Sequence, residues 1–297
     1  MMYFFVFFIV FLLSYLLLVP SLALSNFFGA IDVPNDRKIH SDPTPRGGGF
    51  AIFIAFSLVL VIIPIGIDLK IPLLLGGTVV FLIGFLDDVI NISPQIKLLG
   101  QSLAIFVYFL TSTLLGYQSS IWLSIILAIW IIFISNATNI TDGLNGLASG
   151  IGVSEALCLA IVSLILEDTD TFLCVLLLLG AISGFLPHNF PRAKIFMGDC
   201  GSLFLGFVLA ALSSRLIIKS NSVIYLLSIL LIFRIPIYDT IISIIRRIIK
   251  GKHPFQADKE HFHHLLLQNE FTAECAALLL ISASLFFGFF GVLLCWF

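Results

Sequence analysis

Two aspartates, Asp87 and Asp88, stand side by side at the end of an apolar run, with Lys97 shortly after them. Adjacent carboxylates repel each other and meet the negative end of a helix dipole, so a nearby cation relieves both strains. A membrane helix end ordinarily carries Lys or Arg there, and the acids point to function over a solvated helix end. A second run, Asn136-Ala-Thr-Asn139-Ile-Thr-Asp142-Gly143-Leu-Asn145-Gly146, has no basic residue and opens another apolar stretch. Capping alone accounts for Asp142. Amides at membrane depth are costly, so Asn136, Asn139 and Asn145 read as ligand-facing groups. A third segment runs from His188-Asn189 through Arg192 and Lys194 to Phe196-Met-Gly-Asp199. Asp199 either caps the helix that follows or ligates magnesium beside a bound pyrophosphate.

Two further segments carry charge. Asp32 to Gly49 holds Arg37, Lys38, His40 and Arg46 before three glycines. Glycine N–H groups at a helix start suit a phosphate, while a basic anchor with a flexible turn explains the same residues. Arg246 to His264 holds four histidines among lysines and arginines, His261, His263 and His264 included. An anionic-lipid patch fits this segment, and so, better, does a loop that closes on a polyanion. Zinc fits poorly, since no cysteine lies near and none of the five cysteines forms a C-x-x-C pair.

The elements that must position these groups follow from composition. The 297 residues are 60% apolar and 11% charged, with a mean hydropathy of +1.14. Soluble domains carry about 25% charged residues, so a water-soluble fold is excluded. A nucleic-acid binder is excluded too, because 15 Lys and Arg face 17 Asp and Glu. At about 20 apolar residues per span, ten membrane helices are predicted: 3–24, 50–67, 71–86, 98–116, 120–136, 146–166, 171–188, 202–218, 222–244 and 272–296. The first lacks a basic start and exceeds the usual signal-peptide apolar length, so it is expected to be retained. Eleven of the 15 basic residues fall in the odd-numbered connections and only Lys70, Arg215 and Lys219 in the even ones. The odd connections are therefore expected in the cytoplasm, with both termini outside. The expected fold is an all-α polytopic membrane bundle forming one domain over residues 1–297. Arg234 and Asp239 fall inside the ninth span; they either pair with each other or belong to a site near its cytoplasmic end.

In combination, Asp87-Asp88, the Asn-x-x-Asn-x-x-Asp-Gly run ending at Gly143, Phe196-Met-Gly-Asp199 and His261-x-His263-His264 resemble one family over nearly the whole chain. It is the polyprenyl-phosphate N-acetylhexosamine-1-phosphate transferases of glycosyltransferase family 4. The WecA/TagO-like branch, which starts O-antigen and teichoic-acid glycans, looks nearer than the MraY branch of peptidoglycan synthesis. The resemblance implies an MraY-like bundle in the cell membrane, with its active site on the cytoplasmic face. It implies transfer of a sugar 1-phosphate from a UDP-N-acetylhexosamine to undecaprenyl or another polyprenyl phosphate, with release of UMP. Magnesium is the implied cofactor, manganese its alternative, and dimers occur in the family.

Roles carried over by motif are as follows. Asp199 resembles the principal magnesium ligand, and Asn139 the asparagine near metal and pyrophosphate. Asp87 and Asp88 resemble the paired acids at the polyprenyl phosphate, and Lys97 a phosphate-contacting lysine. Phe196 resembles the ring that stacks on uracil, with Asn189 beside the uridine and Asn145 at the uracil contact, and Asp142 is among the substrate-binding residues the resemblance implies. His261, His263 and His264 resemble the loop over the diphosphate sugar, while Lys38 and His40 match the first loop less tightly. Many bacterial members have an acid where this sequence has Asn145, which alters the expected contact with uracil. The rival reading is a transporter of an anionic substrate, which predicts ionisable groups at mid-membrane and not on one face.

Overall fold

The computed structural model describes residues 2–33, 42–117, 120–251 and 260–296. Twelve helices follow in chain order among these residues: α1 (Met2–Phe28), α2 (Gly48–Ile62), α3 (Ile67–Ile90), α4 (Pro94–Leu114), α5 (Ile121–Thr141), α6 (Leu147–Ile165), α7 (Thr169–Asn189), α8 (Gly198–Ser220), α9 (Val223–Ile232), α10 (Arg234–Ile249), α11 (Phe262–Gln268) and α12 (Ala273–Leu294). Eight are long and apolar enough to cross a membrane, and the bent pair α9–α10 makes a ninth if taken as one span. The chain is thus an all-α, polytopic membrane protein. Its one ribbon among the described residues pairs β1 (Ile31–Asp32) antiparallel to β2 (Thr44–Pro45), with Ile31 opposite Pro45.

Two of the ten predicted spans differ from expectation, and proline explains both. The second ends at Ile62, five residues early, because Ile63 precedes Pro64 and is extended at φ −71°, ψ 141°. A proline disfavours helical geometry in the residue before it. The ninth is broken at Phe233 by a 76° bend. Pro236 has no N–H for the carbonyl of Ile232, and its ring crowds that carbonyl. The helix therefore restarts at Arg234.

The core is built around α8, which is buried along nearly its whole length. Its small residues let neighbours approach closely, the main device for packing helices in lipid. A Cβ at Gly206 would come within 2.7 Å of the Ser135 backbone on α5. One at Gly84 of α3 would lie 2.4 Å from the carbonyl oxygen of Asp199. Contacts this tight fix the heights of α3, α5 and α8 against one another. At the end opposite the polar motifs, Arg215 of α8 donates to Asp68 of α3 at 2.8 Å and lies 3.5 Å from Asp168 at the start of α7.

Candidate active site

The close approach at Gly84 brings the last turn of α3 against the first turn of α8. Helix α8 starts from Met197, whose side chain gives no cap, and Gly198 turns the chain at φ +74°. Asp88 supplies the missing cap from the neighbouring helix. Its two oxygens accept from the N–H groups of Asp199 (2.9 Å) and Cys200 (3.0 Å). The carboxylate thereby sits on the positive end of the α8 dipole and fixes where Asp199 begins. Asp88 is buried.

Asp87, one residue earlier, points elsewhere. Its Oδ2 accepts from Lys97 Nζ at 3.1 Å. The same ammonium donates to Asn139 Oδ1 at 3.2 Å and is ion-paired with Asp199 Oδ2. Asn139 in turn donates to Asp199 Oδ1 (2.9 Å) and to Ser202 Oγ (2.8 Å), which orients its oxygen toward the lysine. Three oxygens from α3, α5 and α8 thus converge on one positive charge carried by α4. Hard divalent cations select such an oxygen set, and magnesium completes its shell with substrate phosphate oxygens and water. Among the described residues no three His, Cys, Asp or Glu side chains form a cage by themselves. The donors present therefore fit a magnesium ion shared with a phosphate, and the Lys97 ammonium marks where positive charge is wanted.

A cavity of about 340 Å³ opens beside this cluster. Asp88, Asp199, Asp142, Asn145, Asn189 and Phe196 line it, with His263 and His264 over it and Arg46 and Asp32 at its side. Asp142 caps the end of α5; burial, with the negative charges of Asp199 and Asp88, pushes its carboxyl up to about 7. Any residue larger than Gly143 next to it would have to displace a neighbouring ring. A Cβ there would lie 2.3 Å from Nε2 of His263, whose ring rests on that backbone. Burial, then the neighbouring His264, lowers His263 to about 4, so its imidazole is neutral at pH 7.

The polar walls hold one another. Asn189 accepts from Gly146 N–H at 2.8 Å and donates to the Ile195 carbonyl at 3.0 Å, joining the α5–α6 connection to the α7–α8 connection. Asn145 donates to the Pro191 carbonyl at 3.2 Å. Phe196 N–H donates to Pro45, and the N–H groups of Gly48 and Gly49 donate to Phe196 and Met197 at 2.9 Å. Two of the three glycines that could have cradled an anion, Gly48 and Gly49, are therefore occupied in binding the first connection to the α7–α8 connection.

Of the residues predicted from sequence, Asp87, Asp88, Lys97, Asn139 and Asp199 meet in one cluster, and Asp142, Asn145, Asn189, Phe196, His263 and His264 wall the adjoining cavity. His261 lies behind the wall, with its Nδ1 2.9 Å from Asp239 Oδ2. Lys38 and His40 fall outside the described residues. Asn136 is not ligand-facing: it exchanges hydrogen bonds with Gln101 of α4, at 2.6 and 3.2 Å. Arg234 does not pair with Asp239; its guanidinium lies over the rings of Phe287 (4.0 Å) and Tyr238 (4.8 Å). Sequence reasoning missed Arg46 and Asp32, which are ion-paired at the cavity side. An arginine before a membrane helix looks like an ordinary inside anchor; only an acid across the short ribbon distinguishes it.

The sequence is also similar to known proteins. The sequence profile of glycosyl transferase family 4 matches residues 71–217, which run from within α3 to within α8 and hold all five residues of the cluster. The chain is 35% identical to the probable undecaprenyl-phosphate N-acetylglucosaminyl 1-phosphate transferase of Bacillus subtilis (strain 168), over 88% of this chain and 76% of that protein. It is 33% identical to the undecaprenyl-phosphate alpha-N-acetylglucosaminyl 1-phosphate transferase of Thermotoga maritima, over 88% of this chain and 81% of the relative. Identity to the phospho-N-acetylmuramoyl-pentapeptide-transferase of Staphylococcus aureus (strain MSSA476) is 30%, over 84% and 85%. With its acids, amide and lysine gathered where the profile matches, the chain belongs to glycosyl transferase family 4, among the polyprenyl-phosphate N-acetylhexosamine-1-phosphate transferases.

Proposed function

We propose that this protein transfers N-acetylhexosamine 1-phosphate from a UDP-sugar to undecaprenyl phosphate at the cytoplasmic face of the cell membrane, releasing UMP. The observation that carries the reading is the convergence of Asp87, Asn139 and Asp199 on Lys97 at the base of a cavity walled by amides, an aromatic ring and histidines. N-acetylglucosamine is the sugar, by likeness to the relatives so named. The richness of the odd connections in Lys and Arg supports a cytoplasmic position for this end of the bundle, with both termini outside.

In this reaction an oxygen of the acceptor phosphate attacks the phosphorus that bears the sugar. A new P–O–P bond forms, the bond to the bridging oxygen breaks, and that oxygen leaves on UMP. A phosphate monoester has its second pKa near 6 and is mostly dianionic at neutral pH, so no strong base is needed. Asp87 holds Lys97 in place, and Lys97 draws the acceptor phosphate toward the cluster. Asp88 acts by fixing the start of α8 and hence Asp199. Phe196 offers its face to uracil, and Asn189 keeps one amide N–H beyond its bond to Ile195. Magnesium held by Asp199 and Asn139 would neutralise diphosphate charge and stabilise the leaving UMP.

The test is UMP release from membranes containing the full chain, supplied with UDP-N-acetylglucosamine, undecaprenyl phosphate and magnesium. Release that depends on all three is expected, and chelation with EDTA abolishes it. Intact protein that releases no UMP from any UDP-N-acetylhexosamine overturns the reading.

A further inference from the structure

Asp239 is buried on α10, beyond the bend, with no place in the reaction above. It leads a polar stripe, Asp239, Ser243 and Arg247, at helical spacing of four, opposite an apolar face that includes Ile242, Ile245 and Ile249. All three stripe residues meet the His261 ring. Nδ1 lies 2.9 Å from Asp239 Oδ2 and 3.2 Å from Ser243 Oγ, while Nε2 lies 3.4 Å from Arg247. An arginine only donates, so Nε2 accepts and the ring proton sits on Nδ1, facing Asp239. The second oxygen of Asp239 accepts from the N–H of Phe262, the first residue of α11, at 2.7 Å. One carboxylate therefore holds both His261 and the start of the helix that carries His263 and His264 over the cavity. Glu260 adds a second tie on the same side, accepting from Lys250 at 2.6 Å and from Arg246 at 3.1 Å.

We propose that Asp239 is a positioning residue: through His261 and the first N–H of α11 it sets His263 and His264 over the cavity, and so governs binding of the sugar diphosphate. The kinetic part of this proposal rests on the transfer reaction proposed above; the structural part does not. In Asp239→Asn an amide N–H₂ faces the ring's Nδ1–H, and turning the amide sacrifices the bond to Phe262 instead.

The experiment uses the full chain in detergent, with two readouts on wild type, Asp239→Asn, Asp239→Glu and the double variant Asp239→Asn/His261→Gln. The loss of one charge-assisted hydrogen bond should raise KM for UDP-N-acetylglucosamine about tenfold. KM for undecaprenyl phosphate should stay within about twofold, Asp239→Glu should recover part of the loss, and the double variant should be no worse than the single. Separately, a Leu265→Cys probe on a Cys275→Ser background should react with a maleimide severalfold faster once Asp239 is Asn. Unchanged labelling overturns the proposal whatever the kinetics. Faster labelling with a wild-type KM for the UDP-sugar, or an equal rise in both KM values, overturns it as well. If wild type releases no UMP, the transfer reading fails while the labelling still decides whether Asp239 holds α11.

Discussion

At Asp87 a carboxylate answers a lysine, and at Asp88 it answers two backbone N–H groups. Neighbours with the same side chain should therefore fail differently when neutralised. Asp87→Asn should keep its melting temperature and lose most turnover, since the fold does not lean on it. Asp88→Asn should lose turnover and also about 1–3 kcal/mol of stability, because an amide offers one acceptor where two N–H groups wait. Thermal unfolding in detergent beside UMP release separates the two; equal destabilisation would refute the division. Asp142 yields a pH prediction. Its carboxyl is raised to about 7 in the fold, against 3.8 ordinarily, so the folded state binds a proton more readily than the unfolded chain. The cost of its charge is then fully present above pH 7 and recedes as pH falls toward 4. In metal-free buffer Asp142→Asn should be more stable than wild type at pH 8, with the gap narrowing by pH 5.5. A gap that is constant with pH would contradict this. The cluster was legible in sequence because acids and amides are out of place at membrane helix ends. The split between Asp87 and Asp88, and the pairing of Asn136 with Gln101, were not, since both depend on which helix lies alongside.

Hydropathy alone located every membrane element, because in lipid the signal is composition and length, not periodicity. What it could not supply were the breaks. Pro64 and Pro236 were visible, yet a proline in an apolar run is as compatible with a kink as with an end. The structure resolves them into a short α2 and an elbow between α9 and α10, and beyond the elbow Asp239 lies beside α11. Contact between elements gives a sharper test. A methyl at Gly84 would meet the Asp199 carbonyl at 2.4 Å and Cys200 Cα at 2.5 Å, both backbone atoms that cannot swing aside. Gly84→Ala should force α3 from α8, costing about 1–3 kcal/mol, and should displace the acid cluster enough to abolish turnover. Gly116→Ala serves as the contrast, since no atom lies within 4 Å of its Cβ, although its φ of +94° carries its own strain. Normal turnover by Gly84→Ala would refute this packing as what locates Asp199.

For the whole molecule, the placement of charge distinguishes an enzyme from a transporter. Among the described residues of the odd connections, Asp32, Arg46, Asp88, Asp142 and Asp199 line one cavity, whereas at the far end Arg215 pairs with Asp68 and Asp168. A solute path would need a string of ionisable groups between these ends, where α6 offers one buried carboxyl, Glu155, at mid-helix. The polar end should face the cytoplasm, where UDP-sugars are made, and one native residue can report it. Of the five cysteines four are buried, while Cys275 is exposed in the first turn of α12, two residues from Ala273 at the cavity wall. A membrane-impermeant maleimide should therefore leave the protein unlabelled in intact cells and label it once in inverted vesicles. Cys275→Ser should abolish that labelling, which assigns it without disturbing a catalytic group. Labelling of Cys275 from outside intact cells would invert the topology, and with it the face on which UDP-sugar must arrive.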